Sequence, residues 1–497
     1  MNELIVAIDQ GTTSSRATVY RQDGEVIALA QQEFTQYYPQ SGWVEHDPEE
    51  LWTSVAVTLR DALAQARAQH PQARVVAMGI TNQRETVVVW DRRTGAPLHR
   101  AIVWQDRRTA ERCEALRDEG LADLVTQRTG LQLDPYFSAT KIAWILDQVP
   151  GARERAGRGE LAAGTIDCYL IWRLTAGKSH TTDVTNASRT SLFDIDRGVW
   201  DDDLLQAFNV PLSVLPQVQE CVAQFGYVDG EVLPGEVPIL GVAGDQQAAA
   251  IGQGCVAPGP VKSTYGTGCF MLANTGEERL STANGLLATV AYAVQGRRTY
   301  ALEGSIFSAG SVIQWLRDAL GIITRAEESE ALAASLESNE GVVLVPAFNG
   351  LGAPYWDPHA RAAVHGLSRG AGRAHLARAA LESIAYQTED LLAAFRGAGV
   401  EPSALNVDGG LTANHWCMQF TADLTHVQVC RPTNTETTSL GAACLAMIGH
   451  GLLEDVAQVT RLWQLDRVFD PSFDAEHRAR LLGQWRAAVA RTRSQPK

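Results

Sequence analysis

Asp9-Gln10-Gly11-Thr12-Thr13-Ser14-Ser15-Arg16, entered through the apolar run Leu4 to Asp9 and left through Ala17-Thr18-Val19-Tyr20, reads as strand, turn and strand. The turn collects a carboxylate, a glycine, four hydroxyls and a guanidinium. Each suits a polyphosphate. Gly11 lets backbone approach closely, the hydroxyls and N–H groups of Thr12, Thr13 and Ser14 donate to phosphate oxygens, Arg16 brings charge, and Asp9 can hold the hydration shell of Mg²⁺. An ordinary polar hairpin loop would have the same composition. The stretch is not a Walker A loop, because no G-x-x-x-x-G-K-[ST] string occurs in the chain.

The theme returns past the middle. Gly252 to Pro260 is rich in Gly and Pro and marks a domain crossover, so the expected domains are 1–252 and 253–497. Directly after it, Val261-Lys262-Ser263, Thr264-Tyr265-Gly266-Thr267-Gly268 and Cys269-Phe270-Met271-Leu272 again read strand, turn, strand. Two hairpins, each opening one half, predict a duplicated core. A third Gly is missing and the turn runs into a strand, which disfavours a dinucleotide fingerprint and favours a phosphate clamp or a plain β-turn. Val407-Asp408-Gly409-Gly410-Leu411-Thr412-Ala413-Asn414 then places Gly-Gly at a strand end before a helix from His415, where a base or ribose can lie on bare backbone and Asn or Thr can equally cap the helix. In this order, the three segments resemble the phosphate-1, phosphate-2 and adenosine segments of the actin-like, ribonuclease-H-like ATPases. The fold class expected is α/β, two such domains flanking an active-site cleft.

Bulk properties agree. The 497 residues, 45% apolar, exceed what one core serves. A formal charge of −15 argues against nucleic acid as a partner. The eight cysteines are scattered without a C-x-x-C pair and read as reduced thiols. MNELIVAIDQGTT carries no basic, apolar export signal, and no run is long enough to span a membrane, so a cytoplasmic enzyme is expected. Asp47-Pro48-Glu49-Glu50 combines an N-cap, Pro at N1 and a capping-box Glu ahead of Leu51, Val55, Leu59, Ala62 and Ala66, an amphipathic helix. Val75 to Ile80 and Val87 to Trp90 read as strands, and Thr492 to Lys497 as a loose tail. Asn186-Ala187-Ser188 matches a glycosylation acceptor by coincidence.

Two constellations concern a second substrate. Pro238 to Val242 reads as a strand delivering Asp245, in Gly244-Asp245-Gln246-Gln247, to a loop before an Ala-rich helix. A carboxylate at a strand's C-terminal end is placed to meet a substrate hydroxyl and, as general base, to take its proton during phosphoryl transfer. It can also be a helix cap, and the roles are compatible. In Thr81-Asn82-Gln83-Arg84-Glu85-Thr86, adjacent Arg84 and Glu85 are either a surface ion pair or the donor and acceptor that a small polyol needs, with Trp104, Tyr136 and Phe270 as aromatic faces for its C–H edge.

The strings DQGTTSSR, GWVEHDPEELW, GITNQRET, AIVWQDRRT, DPYFSATKIAWIL, TNASRT, GDQQAA, TYGTGCFML, PAFNGLGAPYWDP, LESIAYQT and VDGG resemble the FGGY carbohydrate kinases over essentially the whole chain. The resemblance implies Thr12, Thr13, Ser14, Arg16, Thr267, Gly310, Gln314, Gly410 and Asn414 at ATP. It implies Arg84, Glu85, Trp104, Tyr136, Asp245, Gln246 and Phe270 at glycerol, with Asp245 the catalytic base and Asp9 and Asp245 on the magnesium side. ATP and glycerol would give ADP and sn-glycerol 3-phosphate, with domain closure excluding water. A homodimer or homotetramer is implied likewise. Some bacterial relatives bind an inhibitory sugar bisphosphate at a basic loop; here Gly226 to Ile239 holds Asp229, Glu231 and Glu236 and no Lys or Arg, so weak or absent sensitivity to fructose 1,6-bisphosphate is expected. The competing readings are a kinase of another polyol, a pentulose or gluconate, and an actin- or chaperone-like ATPase, which has no use for the Arg84-Glu85 set.

Overall fold

The computed structural model describes residues 3–282 and 285–494, which form two compact units. The first comprises residues 1–256, 288–300 and 436–462, and the second 257–287, 301–435 and 463–497. A single split after residue 252 thus follows chain order only, since two later segments return to the first unit.

The first unit is built on a six-stranded sheet in the order Val222–Tyr227, Pro238–Gly244, Arg74–Asn82, Glu3–Gln10, Ser14–Arg21, Val26–Glu33. Glu3–Gln10, Arg74–Asn82 and Pro238–Gly244 run parallel, and the register Asp9↔Thr81↔Ala243 brings their C-terminal ends to one edge. The predicted N-terminal hairpin is present but tighter than expected. Ser14, Ser15 and Arg16 belong to the second strand, and the turn is only Gly11 to Thr13, because the Gly11 N–H donates to the Ser14 carbonyl at 2.9 Å. The helix Pro48–Gln69 is capped by Asp47, whose carboxylate accepts from the Glu49 N–H at 2.8 Å, and it buries Leu51, Val55, Leu59, Ala62 and Ala66. Glu50 does not close a capping box: its carboxylate accepts from the Thr35 N–H and the Tyr37 hydroxyl instead. On the sheet lies the helix Thr437–His450, so close that a Cβ on Gly79 would stand 2.2 Å from the Ala442 carbonyl oxygen. A smaller four-stranded sheet, with Val87–Asp91 and Leu161–Thr165 among its strands, carries Glu85 and Trp104 at its margins.

The second unit repeats the scheme. Its sheet includes, in order, Cys269–Gly276, Pro260–Tyr265, Ala404–Asp408, Val429–Pro432 and Leu465–Phe469. The opening hairpin strand again pairs in parallel with a strand much later in the chain, Thr264 opposite Asp408, and Leu405 opposite Val429 extends the parallel part. An antiparallel strand follows it, Leu465–Phe469 here and Val222–Tyr227 in the first unit. The duplication read from two short hairpins therefore extends through five strands of each sheet. All eight cysteines are buried free thiols. Asn186 is buried, which removes it as a glycan acceptor. Of the expected tail, Thr492 is helical and Ser494 bonds to Asp357, while 495–497 lie outside the described residues. No helix among the described residues is long and apolar enough to cross a membrane.

Candidate active site

In the first unit the parallel-strand ends assemble the residues that the sequence singled out. Asp9 ends one strand, Arg84 and Glu85 follow the next, and Asp245 follows the third. Arg84 and Glu85 are not a surface pair: both side chains are 2% exposed. Their mutual contact is loose, 3.9 Å, because each has a better partner. Arg84 Nε lies 3.2 Å from Asp245 Oδ1, and Arg84 Nη1 donates to Gln247 Oε1 at 3.2 Å. Glu85 Oε1 accepts from Arg189 Nε at 2.6 Å. Glu85 takes a left-handed backbone, φ 60°, rare for a residue with a long side chain and found where surrounding structure over-determines it. Room for Arg84 comes from Gly244, where a Cβ would stand 2.7 Å from Arg84 Cδ.

Asp245 keeps 28% of its side chain open. It is the first helical residue of Asp245–Gly252 rather than its cap, and its Oδ1 accepts from the Gln246 N–H at 2.7 Å. Near it, burial pushes the Asp9 carboxyl up to about 6, with Arg16 opposing the shift and the Asp245 charge adding to it. Trp104 Nε1 donates to Thr12 Oγ1 at 2.9 Å, which joins the phosphate turn to the aromatic set, and the Trp104 and Tyr136 rings meet edge to face at 5.6 Å. Ser14 Oγ accepts from Gln31, and Arg16 bonds Gln31 Oε1 at 3.0 Å and ion-pairs with Glu436. Thr13 is exposed at the tip of the turn.

The second unit gathers the rest of the proposed nucleotide residues at the corresponding edge. The exposed turn Gly266-Thr267-Gly268 caps the helix Gly310–Asp318: the Gly310 N–H donates to the Gly266 carbonyl at 2.9 Å, and the Ala309 and Ser311 N–H groups to that of Thr267. A Cβ on Gly310 would stand 2.6 Å from the Gly266 oxygen, so only glycine allows this seat. Gln314, one helical turn on, is exposed, as is Gly410. Asn414 does cap the following helix, accepting from the Cys417 N–H at 2.9 Å and donating to Ser329 at 3.3 Å, so it shapes the Gly410 loop. Phe270, half-buried on the second hairpin strand, also belongs to this unit.

Residues 4–252 match the N-terminal domain, and residues 261–450 the C-terminal domain, of the FGGY family of carbohydrate kinases. The chain belongs to the FGGY carbohydrate kinases. Among its relatives in that family are a glycerol kinase of Rhodospirillum centenum, 57% identical over 99% of this chain and 98% of the other, and one of Ectopseudomonas mendocina, 54% identical over the full length of both. The Plasmodium falciparum glycerol kinase with ADP superposes with a TM-score of 0.94 at 36% identity, covering 99% of each chain. A xylulose kinase of Rhodospirillum rubrum gives 0.87 at 27%, covering 98% of each.

Behind this strand-end edge lies a polar network that pattern reading missed. Thr185 Oγ1 accepts from the Gly244 N–H at 2.9 Å, Asp183 accepts from Thr185 and Asn186, and Asn186 exchanges amide bonds with Asn82. Only the string TNASRT pointed there, without a role. Neighbouring Asp167 is buried and accepts from Thr165 and Thr182. Burial pushes its carboxyl up to about 7, and Asp183 adds to the shift. The folded state thus holds this proton more tightly than the unfolded chain, so ionisation costs stability; the cost is absent below about pH 4, grows as pH rises and is complete above about 7. Asp167→Asn removes it. Relative to wild type, the variant should gain about 1–3 kcal/mol between pH 5 and pH 8. Thermal midpoints of both proteins across that range check the sign.

Proposed function

We propose that the chain transfers the γ-phosphoryl group of ATP to glycerol, giving ADP and sn-glycerol 3-phosphate. What carries the proposal is the buried Arg84-Glu85 pair with Asp245, beside Trp104 and Tyr136, in a chain whose relatives are glycerol kinases. A small triol needs one donor, one acceptor and an apolar face; here they stand within one unit. Arg84 donates to glycerol hydroxyls, Glu85 accepts from one, and the Tyr136 and Trp104 rings cover the C–H edge, with Gln246 alongside. Asp245, open enough to meet solvent or substrate, accepts the proton of the attacking hydroxyl. Residues 1–252 hold glycerol and part of the triphosphate, through Thr12, Thr13, Ser14 and Arg16, and residues 253–497 hold the nucleotide through Thr267, Gly310, Gln314, Gly410 and Asn414.

Asp9 and Asp245 fit a Mg²⁺ that reaches the site with the nucleotide. They end strands separated by one other, roughly 10 Å between backbones. Among the described residues no group of three or more His, Cys, Asp or Glu is placed to hold a metal ion, so the proposed ion would be held mainly by phosphates and water. The Asp245 charge adds to the raised proton affinity of buried Asp9, and a nearby cation would ease it. Bound there, Mg²⁺ would neutralise charge on the β- and γ-phosphates. Eight buried free thiols suit a reducing cytoplasm, and a homodimer or homotetramer is proposed on the likeness to relatives alone.

A coupled ADP-release assay over glycerol, dihydroxyacetone, xylulose, ribulose and gluconate tests the substrate. Turnover should be highest with glycerol and should vanish on chelating Mg²⁺; turnover indifferent to every polyol would leave the ATPase reading instead. Fructose 1,6-bisphosphate is expected to leave the rate unchanged at millimolar concentration. Asp229 already pairs with Lys178 Nζ at 3.2 Å, and Glu231 and Glu236 are exposed in the same segment, so a dianionic phosphate meets mostly like charge there. Strong inhibition that disappears when this segment is replaced would contradict that expectation.

A further inference from the structure

We infer that Arg189 is a positioning residue for the polyol: it aims the Glu85 carboxylate and backs the Tyr136 ring, and so sets the affinity for glycerol without touching it. The inference rests on the proposed reading of Arg84, Glu85 and Tyr136 as the glycerol contacts. Arg189 is fully buried, at the end of the short helix Val184–Ala187, where its N–H donates to the Asn186 carbonyl at 3.0 Å. Its Nε reaches Glu85 Oε1 at 2.6 Å. The same guanidinium lies over two rings, 5.2 Å from the Phe137 centroid and 5.6 Å from that of Tyr136. One planar cation therefore touches the acceptor and one wall of the proposed pocket.

Geometry explains why arginine is suited to this place. Glu85 sits on a left-handed backbone after a strand end, and its buried side chain accepts from Arg189. Its near neighbour Arg84 is 3.9 Å away and faces Asp245, so the short bond from Arg189 is the closer restraint on Glu85 Oε1. A guanidinium can donate in plane to a carboxylate while presenting its faces to aromatic rings; a lysine ammonium is a point charge and can do only one of these well. Deep burial in turn demands a counter-charge, which Glu85 supplies.

Arg189→Lys keeps the charge and removes the fork. The expected result is a glycerol KM raised about 10- to 100-fold, the effect of losing one charge-assisted hydrogen bond, with the ATP KM within about threefold of wild type. In a Glu85→Gln background the same change should add less than about threefold to kcat/KM for glycerol, because the residue it aims is already neutralised. A purely structural role would give an unchanged glycerol KM with a lowered thermal midpoint, or additive losses in the double variant; either overturns the inference. If Arg189→Lys fails to fold, Phe137→Leu, which removes one ring face beside the guanidinium, should still raise the glycerol KM by about threefold, and no change there overturns it too. Wild-type enzyme that ignores glycerol would instead remove the functional reading itself, a separate outcome read in the same assay.

Discussion

Asp245→Asn is expected to lower kcat for glycerol by about 10³-fold, within the 10²–10⁴ that general acid–base catalysis supplies, with ATP affinity changed less than about threefold. The variant is nearly isosteric. Its side-chain oxygen can still accept from the Gln246 N–H, so the start of the helix Asp245–Gly252 is preserved. What is lost is the acceptor for the hydroxyl proton, the charge facing Arg84 at 3.2 Å and one of the two carboxylates proposed beside Mg²⁺, the other, Asp9, being retained. Steady-state kinetics with glycerol and titration calorimetry with ATP separate these effects. If Asp245 only began a helix, the loss would stay below about tenfold, since a mere local cap is worth about 1 kcal/mol.

Arg84→Ala should raise the glycerol KM by about 10²- to 10³-fold, with kcat reduced far less. Arg84 is 2% exposed and faces two carboxylates, Glu85 and Asp245. Deleting it removes the proposed donor to the polyol and leaves like charges side by side in a poorly hydrated place, a cost of about 3–5 kcal/mol for a fully buried pair. The figure is an upper bound, because Asp245 is 28% exposed and water relieves part of it. Stability should fall as well, visible as a lower thermal midpoint. Arg84→Lys should fall between wild type and alanine, because an ammonium cannot reach Gln247 and Asp245 with separate nitrogens as Nη1 and Nε do. An unchanged glycerol KM in Arg84→Ala would remove Arg84 from the substrate set.

Much of the candidate site's placement was legible because chemistry and strand ends coincide in the chain. Asp9, Arg84-Glu85 and Asp245 each follow an apolar run, and a parallel sheet brings such ends to one edge. Arg189 and the Asp183 network were not legible in this way. They lie in a stretch with no periodicity of its own, and their roles appear only against Glu85, 104 positions earlier, and Gly244, 59 positions later. Local composition also overstated the first turn: hydroxyls at 14 and 15 suggested loop, yet both pair with the strand Val26–Glu33, and Ser15 also with Gln10.

Composition, hairpin punctuation and the spacing of apolar runs were enough to establish an α/β chain with a repeated core, since those signals act between neighbours along the backbone. Which carboxylate meets which guanidinium was not encoded at that range. Arg84 sits next to Glu85 in the chain but turns to Asp245, 161 positions away by number, because Gly244 leaves it room and a left-handed Glu85 turns toward Arg189. Burial raises the cost of any unmatched charge, so pairing follows the folded neighbourhood and not adjacency in the chain.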